Sequence, residues 1–600
     1  MYRRGAFVVT AAAAMGLFGL SNLASEEQKP SPQAPLTPKA YDPYPAGIVP
    51  SNLNDEIQRV RREVQQAYSR ALKEWRDLGP VTRKGNPPII AGNGYSAVKL
   101  LGELLNFDEN MSVNKNQACA FCHMPYTGYA GPIPSVNLTM VAYPGSSHIR
   151  ASDRTPMRYT YASKFPVLQY NDAQGDFYGG NFWDGRATGY RLQSPNAEQA
   201  TDPPVDDVEM GFPDLACIAF RLSQAEYRSL FEAVWGTGSL DIKWPAQTER
   251  ICSTPAGAAV FGDSTTPVPL SPEDRAKADN VYDNWGRSIS FYQSSPDIDA
   301  FSSKFDAYLA GNYELTADEM AGYQLFRGKG KCNSCHLDGV STLEAKGQAD
   351  TGRPGAVAPL FTDFTYVNLG LPFNPRLPIY YETNPDSFGF TPNSAGFGFR
   401  DLGMGSFLRS INGVNPNASW TKLAPRYDGA MQVLTARNTA LTPSQCPTTE
   451  AGEVDKNGQP IPYFQKEFFH NGYIKSLKQL VHFYNTRDRY ALPVTSGHCP
   501  AGTTEKVDCW PMPEVPNNVD KKTGNLGLTD HEEDLIVIFL KTLNDGYTAP
   551  YPNKDLFSGE CQTGGSAVTQ GNETLIPTPT RSQCVPEICG VSPVPQPSIP

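Results

Sequence analysis

Apolar or aromatic residues fall at Ile57, Val60, Val64, Tyr68, Leu72 and Trp75 along the otherwise polar stretch from Asn52 to Leu78. Spacings of three and four place them on one face of a helix, with Asn52 or Asn54 in position to cap it. A second amphipathic helix is predicted from Tyr95 to Phe107. A third starts at Thr316, with Asp318 and Glu319 in its first turn, and runs through Phe326. The second and third each lead into a cysteine motif, and this repeat implies two similar lobes. Between the first motif and about Ser295 the pattern gives short helices and long polar loops. Residues 338–431, rich in Gly, Pro, Asn and Phe, show no period and read as loops with a few short strands. The last strong signal is Thr529 to Leu543, where Thr529 and Glu532 form a capping box ahead of Leu535, Ile536, Ile538, Phe539 and Leu543.

The ends of the chain read differently. Arg3 and Arg4 precede an apolar run from Ala6 to Leu20 that is too short to span a bilayer, so residues 1–24 read as a secretory signal and the mature chain as free of membrane spans. Residues 25–94 form a Pro-rich spacer and the N-terminal helix, and 549–600 a Pro- and Cys-rich tail. With 600 residues, 53 Pro and 52 Gly, the chain is long enough for several domains joined by turn-rich segments. Its net charge of −11 leaves no basic stripe for a nucleic-acid partner, whereas an acidic face suits a basic protein.

The candidate chemistry lies in Cys119-Ala-Phe-Cys122-His123 and Cys332-Asn-Ser-Cys335-His336. C-x-x-C-H is the attachment signature of c-type haem: the thiols add across the vinyl groups and the adjacent His ligates iron. With 12 Cys and 7 His in the chain, chance supplies on the order of 0.003 such matches. A zinc ribbon would set its two C-x-x-C units far closer together. Two covalently bound haems are therefore expected. The other eight cysteines are an even set in a chain read as exported, where disulfides persist, and Cys217 with Cys252 is one plausible local pair.

In this order along the chain, the motifs resemble those of the bacterial di-haem cytochrome c peroxidase and MauG superfamily. They are Leu101-Gly-Glu-Leu-Leu-Asn-Phe-Asp108, Arg154-Thr-Pro156, Phe182-Trp-Asp-Gly-Arg186, Val208-Glu-Met-Gly211, Gly322-Tyr-Gln-Leu-Phe326, Thr435-Ala-Arg-Asn438 with Leu441-Thr-Pro443, and Phe469-His-Asn-Gly472 leading to Tyr484. The resemblance implies a mainly α fold of two cytochrome c-like haem domains, 95–300 and 301–548, with long loop insertions such as 338–431. It implies that the first haem activates hydrogen peroxide and that the second relays electrons.

Residue by residue, Glu209 matches the family's distal carboxylate, and Gln199 and Pro203 match its pocket Gln and Pro, with Gln193 as a competitor for the Gln position. Trp183 matches the tryptophan between the haems, and Arg186 is suited to a haem propionate. His123 and His336 are the expected iron ligands, joined by Tyr484, which stands where many classical members have an axial Met and MauG-type members have Tyr. A phenolate is a hard anionic donor and favours ferric iron. His148 is a candidate sixth ligand of the first haem. His470 belongs near the second haem, His482 faces away from Tyr484, and His498 and His531 read as surface residues. The family's inter-domain calcium is in doubt, because Arg154 replaces an Asn ligand and its cation is an alternative occupant of that charge role.

The expected activity is a periplasmic oxidoreductase that reacts with hydrogen peroxide and draws electrons from a small protein of cytochrome c or cupredoxin type. The alternatives are a MauG-like enzyme oxidising a side chain of a protein substrate, a more distant dioxygenase of rubber-oxygenase type, and a non-catalytic di-haem electron carrier.

Overall fold

The computed structural model describes residues 49–50, 52–78, 81–82, 89–90, 96–258, 267–338, 359–410, 415–441, 467–489, 499–500, 503 and 505–548. The expected signal segment, Tyr95, residues 339–358 of the insertion, Thr442 and Pro443, His498 and the tail beyond residue 548 lie outside the described residues.

The fold is mainly α, and two helix pairs dominate it. Ala97–Phe107 packs on Pro272–Gln293, and Ala317–Arg327 packs on Asp530–Lys541. Each crossing is closed by a glycine from the resembling motifs. A Cβ on Gly102 would overlap the carbonyl oxygen of Ser288, and one on Gly322 that of Leu535. The first helix of each pair then leads to a C-x-x-C-H turn, a single α-turn at Cys119–Cys122 and a 3-10 turn at Cys332–Ser334.

The predicted caps form. Thr316 and Thr529 each accept from the backbone N–H three residues on, while the side chains of Glu319 and Glu532 bond back, so both capping boxes are complete. The N-terminal helix spans Leu53–Leu78 and buries Leu53, Ile57, Val60, Val64, Ala67, Ala71 and Leu72 against the Ala97–Phe107 region.

The 22-residue helix Pro272–Gln293 departs from the expectation of short helices before Ser295. Ser271 caps it, accepting from Asp274 N at 3.1 Å. Its buried face carries Ala278, Val281, Tyr282, Trp285, Ile289 and Tyr292 at helical spacing, interleaved with the buried polar or small residues Asp274, Asn284, Gly286, Ser288 and Gln293.

Among the described residues strand is confined to three antiparallel pairs: Val81–Thr82 with Ile89–Ile90, Gln169–Asn171 with Asp176–Tyr178, and Tyr366–Val367 with Met431–Gln432. The last pair, in the register Tyr366 to Gln432, ties an inner segment of the insertion to its C-terminal end. Gln432 N also donates to Trp183 O at 2.8 Å, which anchors the insertion beside the Phe-Trp-Asp-Gly-Arg turn. Inside the insertion stands a helix, Met404–Arg409, that the loop reading did not anticipate. Disulfides join Cys217 to Cys252, as expected, and Cys499 to Cys509.

The glycine crossings give a stability prediction. Gly322→Ala forces a methyl into the Leu535 backbone and is expected to destabilise by about 1–3 kcal/mol, as overpacking does. Thermal unfolding of the haem-loaded protein checks it: an unchanged midpoint would mean that the helix pair can spread at no cost.

Candidate active site

Two cavities adjoin the two C-x-x-C-H turns. The first encloses about 1080 Å³ of atom-free space including its mouth and is lined by Cys119, Cys122, His123, Trp183, Gln199 and Glu209, with Arg186 at its wall. The second encloses about 1680 Å³ on the same measure and is lined by Cys332, Cys335, His336, His470, Tyr484 and again Trp183. Thr155, Pro156 and Arg158 also border both. The cysteines, His123, His336, Trp183, Arg186, Gln199, Glu209 and Tyr484 thus lie at one cavity or the other, and Trp183 borders both.

The four motif cysteines are free thiols, in contrast to the disulfide-bonded pairs. Burial pushes Cys119 and Cys332 up to about 12, Cys335 up to about 11, and Cys122 well above its ordinary value. Among the described residues no group of three or more His, Cys, Asp or Glu is placed to hold a metal ion.

The two histidines are set alike. His123 Nδ1 lies 3.0 Å from Tyr129 O, and His336 Nδ1 lies 3.0 Å from Phe361 O. A carbonyl only accepts, so Nδ1 carries the proton and Nε2 keeps its lone pair. Burial holds His123 down at about 4 and lowers His336 as well, so both are neutral donors. A buried neutral imidazole oriented through its other nitrogen, beside two unoxidised thiols and a large cavity, fits a c-type haem.

Glu209 is carried on the loop after the Pro203–Val205 turn. Val208 N donates to Asp206 Oδ1 at 2.9 Å, and Ser146 N donates to Glu209 O at 2.7 Å, which fixes the backbone on both sides of the carboxyl. Burial, then the negative charges of Asp206 and Asp202, raise Glu209 to about 8, with Arg186 opposing. A carboxyl in that range can both give and take a proton near neutral pH. Asp206 is raised to about 7 by burial and by Asp202, and its only sequence signal is an acid three residues before Glu209.

Gln199 comes from the Pro195–Ala200 helix, capped by Ser194, which accepts from Ala197 N at 3.2 Å. Gln193 is exposed and donates to Tyr190 O at 2.9 Å, so the structure brings Gln199 to the cavity and not its competitor.

The Phe-Trp-Asp-Gly-Arg turn needs its glycine. Gly185 has φ +79° and the Tyr366 hydroxyl fills the place of its missing Cβ. Trp183 Nε1 donates to Thr155 O at 3.2 Å, and its ring meets His470 edge-on at 6.2 Å. Arg186 stacks over Phe182 at 3.8 Å and already pairs with Asp184 and Asp202, each at 3.0 Å.

Arg154 binds Asp401 through Nε and Nη2, at 2.7 and 2.8 Å, and Asp184 through Nη1 at 2.8 Å. Burial alone would raise Asp401, but the guanidinium outweighs it and holds that carboxyl well below the usual range. A cation between these carboxylates is thus supplied by Arg154 itself. Asp401 lies in the aperiodic insertion, where no motif marks it.

Tyr484 stands on Leu477–Thr486, capped by Ser476, and shares the second cavity with His336. Burial, then Cys332 and Cys335 nearby, push its phenol well above its ordinary value, so ionisation there needs a cation at hand. His482 bonds Glu533 Oε1 at 2.9 Å and Val507 O at 2.8 Å, and it does not line the cavity. His148 contacts Asn116 Nδ2 at 3.2 Å and is not among the residues lining the first cavity, so this arrangement does not offer it as a sixth ligand. His531 is exposed.

Comparison with known proteins supports this reading. The family model for di-haem cytochrome c peroxidase matches residues 96–314. The chain is 28% identical over 458 residues to the methylamine utilization protein MauG of Paracoccus denitrificans, covering 75% of this chain and 89% of that protein. It is 24% identical over 428 residues to the cytochrome-c peroxidase IdrP1 of Denitromonas iodatirespirans, covering 70% and 81%. Among solved structures, the diheme peroxidase BthA from Burkholderia thailandensis aligns with a TM-score of 0.51 at 22% identity, over 75% of this chain and 86% of that one, a likeness of fold. Together with the order of the motifs, the matched segment and the two relatives identify the chain as a relative of the di-haem cytochrome c peroxidases and MauG, an oxidoreductase of the di-haem peroxidase type.

Proposed function

We propose that each C-x-x-C-H turn binds one haem c through two thioethers, with His123 and His336 as axial donors, and that hydrogen peroxide is reduced to water at the first cavity. The two haem domains would be 95–300 and 301–548. Bound haem supplies the iron that interacts with peroxide and the means of holding electrons. The overall balance is H2O2 plus two electrons and two protons giving two waters.

The observation that carries this reading is Glu209, a carboxyl raised to about 8 in the same cavity as Cys119, Cys122 and His123. It can take the proton from one peroxide oxygen and deliver it to the leaving one. Gln199 lines the same cavity and can hold peroxide by its amide. Trp183, bordering both cavities, is placed to pass oxidising equivalents between them. Arg186, engaged by Asp184 and Asp202, orders the wall, and its guanidinium would suit a propionate of a haem bound there. The signal-like N-terminus and the disulfides favour a periplasmic setting, where a basic cytochrome c or cupredoxin would meet the acidic chain.

Tyr484 in the second cavity favours a second reading, MauG-like oxidation of a side chain on a protein substrate. If its phenolate ligates the second iron, Tyr484→Met exchanges a hard anion for a soft neutral donor. The second haem's potential is then expected to rise, which spectroelectrochemical titration checks; an unmoved potential removes Tyr484 from the ligand set.

Mixing the haem-loaded protein with peroxide and a reduced small cytochrome c separates the two activities. Two donor molecules oxidised per peroxide is the peroxidase result. Peroxide consumption that leaves the donor reduced and modifies a protein side chain is the MauG-like result. No peroxide consumption at all contradicts both and leaves an electron carrier.

A further inference from the structure

Glu467 directly precedes Phe468, Phe469 and His470 and is only 3% exposed. Among the described residues neither of its carboxyl oxygens has a hydrogen-bond partner. Native structures retain few such groups, and each calls for an explanation. Glu467 lines the second cavity, and its charge also acts on Cys122 and Tyr143 at the first.

The nearest opposite charge does not satisfy it. Lys475 is buried and donates to Asn137 O at 2.5 Å. Burial lowers this lysine well below its ordinary value, with Glu467 opposing, while burial raises Glu467 to about 8 against the pull of Lys475. Burial thus drives both toward their neutral forms, and the carboxyl of this cavity-lining residue is left without a hydrogen-bond partner among the described residues.

We propose that Glu467 is a binding residue of the second cavity, a neutral carboxylic acid that donates its O–H to an anionic oxygen of the group bound there. The proposal rests on the haem reading above, because haem carries two propionate carboxylates. An acid and a carboxylate that share one proton avoid two buried like charges, and the hydrogen bond is charge-assisted. The cavity supplies the acid, and the ligand supplies the acceptor that the protein lacks.

The test uses the haem-loaded protein and compares oxidised with reduced states by difference infrared spectroscopy in H2O and D2O. A deuterium-sensitive carbonyl band of a protonated carboxyl is expected in wild type and absent in Glu467→Gln. That variant is isosteric and neutral, so it should fold and keep both haems. A wild type without the band, or a variant that keeps it, overturns the proposal.

Glu467→Leu gives a second readout. Loss of the donor leaves the anionic oxygen with its full charge, which favours the oxidised haem. The reduction equilibrium of the second haem is expected to shift by about tenfold toward the oxidised form. Glu467→Gln retains an N–H donor and should stay near wild type, whereas an unchanged equilibrium in Glu467→Leu overturns the assignment. Wild type without covalent haem would instead defeat the haem reading itself, so the two failures are distinguishable.

Discussion

Replacing both Cys119 and Cys122 with alanine is expected to leave one covalent haem per chain and to abolish the reaction with peroxide. The two thiols are free, buried beside His123 and line the first cavity, so they are the only described cysteines able to form thioethers there. Cys332 and Cys335 serve the other cavity, on a separate helix pair closed by Gly322. The second haem should therefore stay attached. The reciprocal change at Cys332 and Cys335 should remove the second haem and spare the first. Intact mass under denaturing conditions counts covalent haems directly; two retained in either variant would falsify the assignment of that motif.

Glu209→Gln should keep both haems and slow the reaction with peroxide by about 100- to 10,000-fold, the usual contribution of a general acid–base group. Glutamine fills the same space and keeps a hydrogen-bonding amide but cannot carry the proton. The pH dependence follows from the same group. Burial and the neighbouring Asp206 and Asp202 raise its pKa to about 8, so the acid form prevails below that value. Peroxide must first lose a proton to the carboxylate, so the wild-type rate is expected to rise as pH passes upward through about 8 and then level off. The variant should lack that rise. Stopped-flow mixing with peroxide across pH decides it, and a rate within about threefold of wild type would remove Glu209 from the chemistry.

Elements whose buried face is apolar or whose ends are capped were legible in the chain. The Leu53–Leu78 helix and the capping boxes at Thr316 and Thr529 formed where side-chain spacing put them. The Pro272–Gln293 helix was legible but overlooked: Ala278, Val281, Tyr282, Trp285, Ile289 and Tyr292 mark its buried stripe, interrupted by the polar Asp274 and Asn284 and by Ser288, which meets Gly102. The site divides along the same line. Cys119, Cys122, His123, Cys332, Cys335 and His336 announce themselves by spacing, and Glu209, Trp183 and Tyr484 by place in a motif.

What remained hidden depends on distant segments meeting. Asp401 reaches Arg154 only because Tyr366–Val367 pairs with Met431–Gln432 and folds the insertion back. Glu467 is ordinary in composition and becomes unusual only once burial removes its water and supplies no partner. The choice of Gln199 over Gln193 likewise needed the Pro195–Ala200 helix, which aims one at the cavity and leaves the other in solvent.

The measurement that bears most directly on a first site open to peroxide and a second closed by Tyr484 is electron paramagnetic resonance of the fully ferric protein, before and after one equivalent of peroxide. Two distinct ferric haem signals are expected, one high-spin from a first site with an open axial position and one low-spin from a second site with two axial ligands. Peroxide should deplete the high-spin signal first, and Glu209→Gln should slow that loss without changing the starting spectrum. Two low-spin signals that peroxide leaves untouched would contradict the account and mark the protein as an electron carrier.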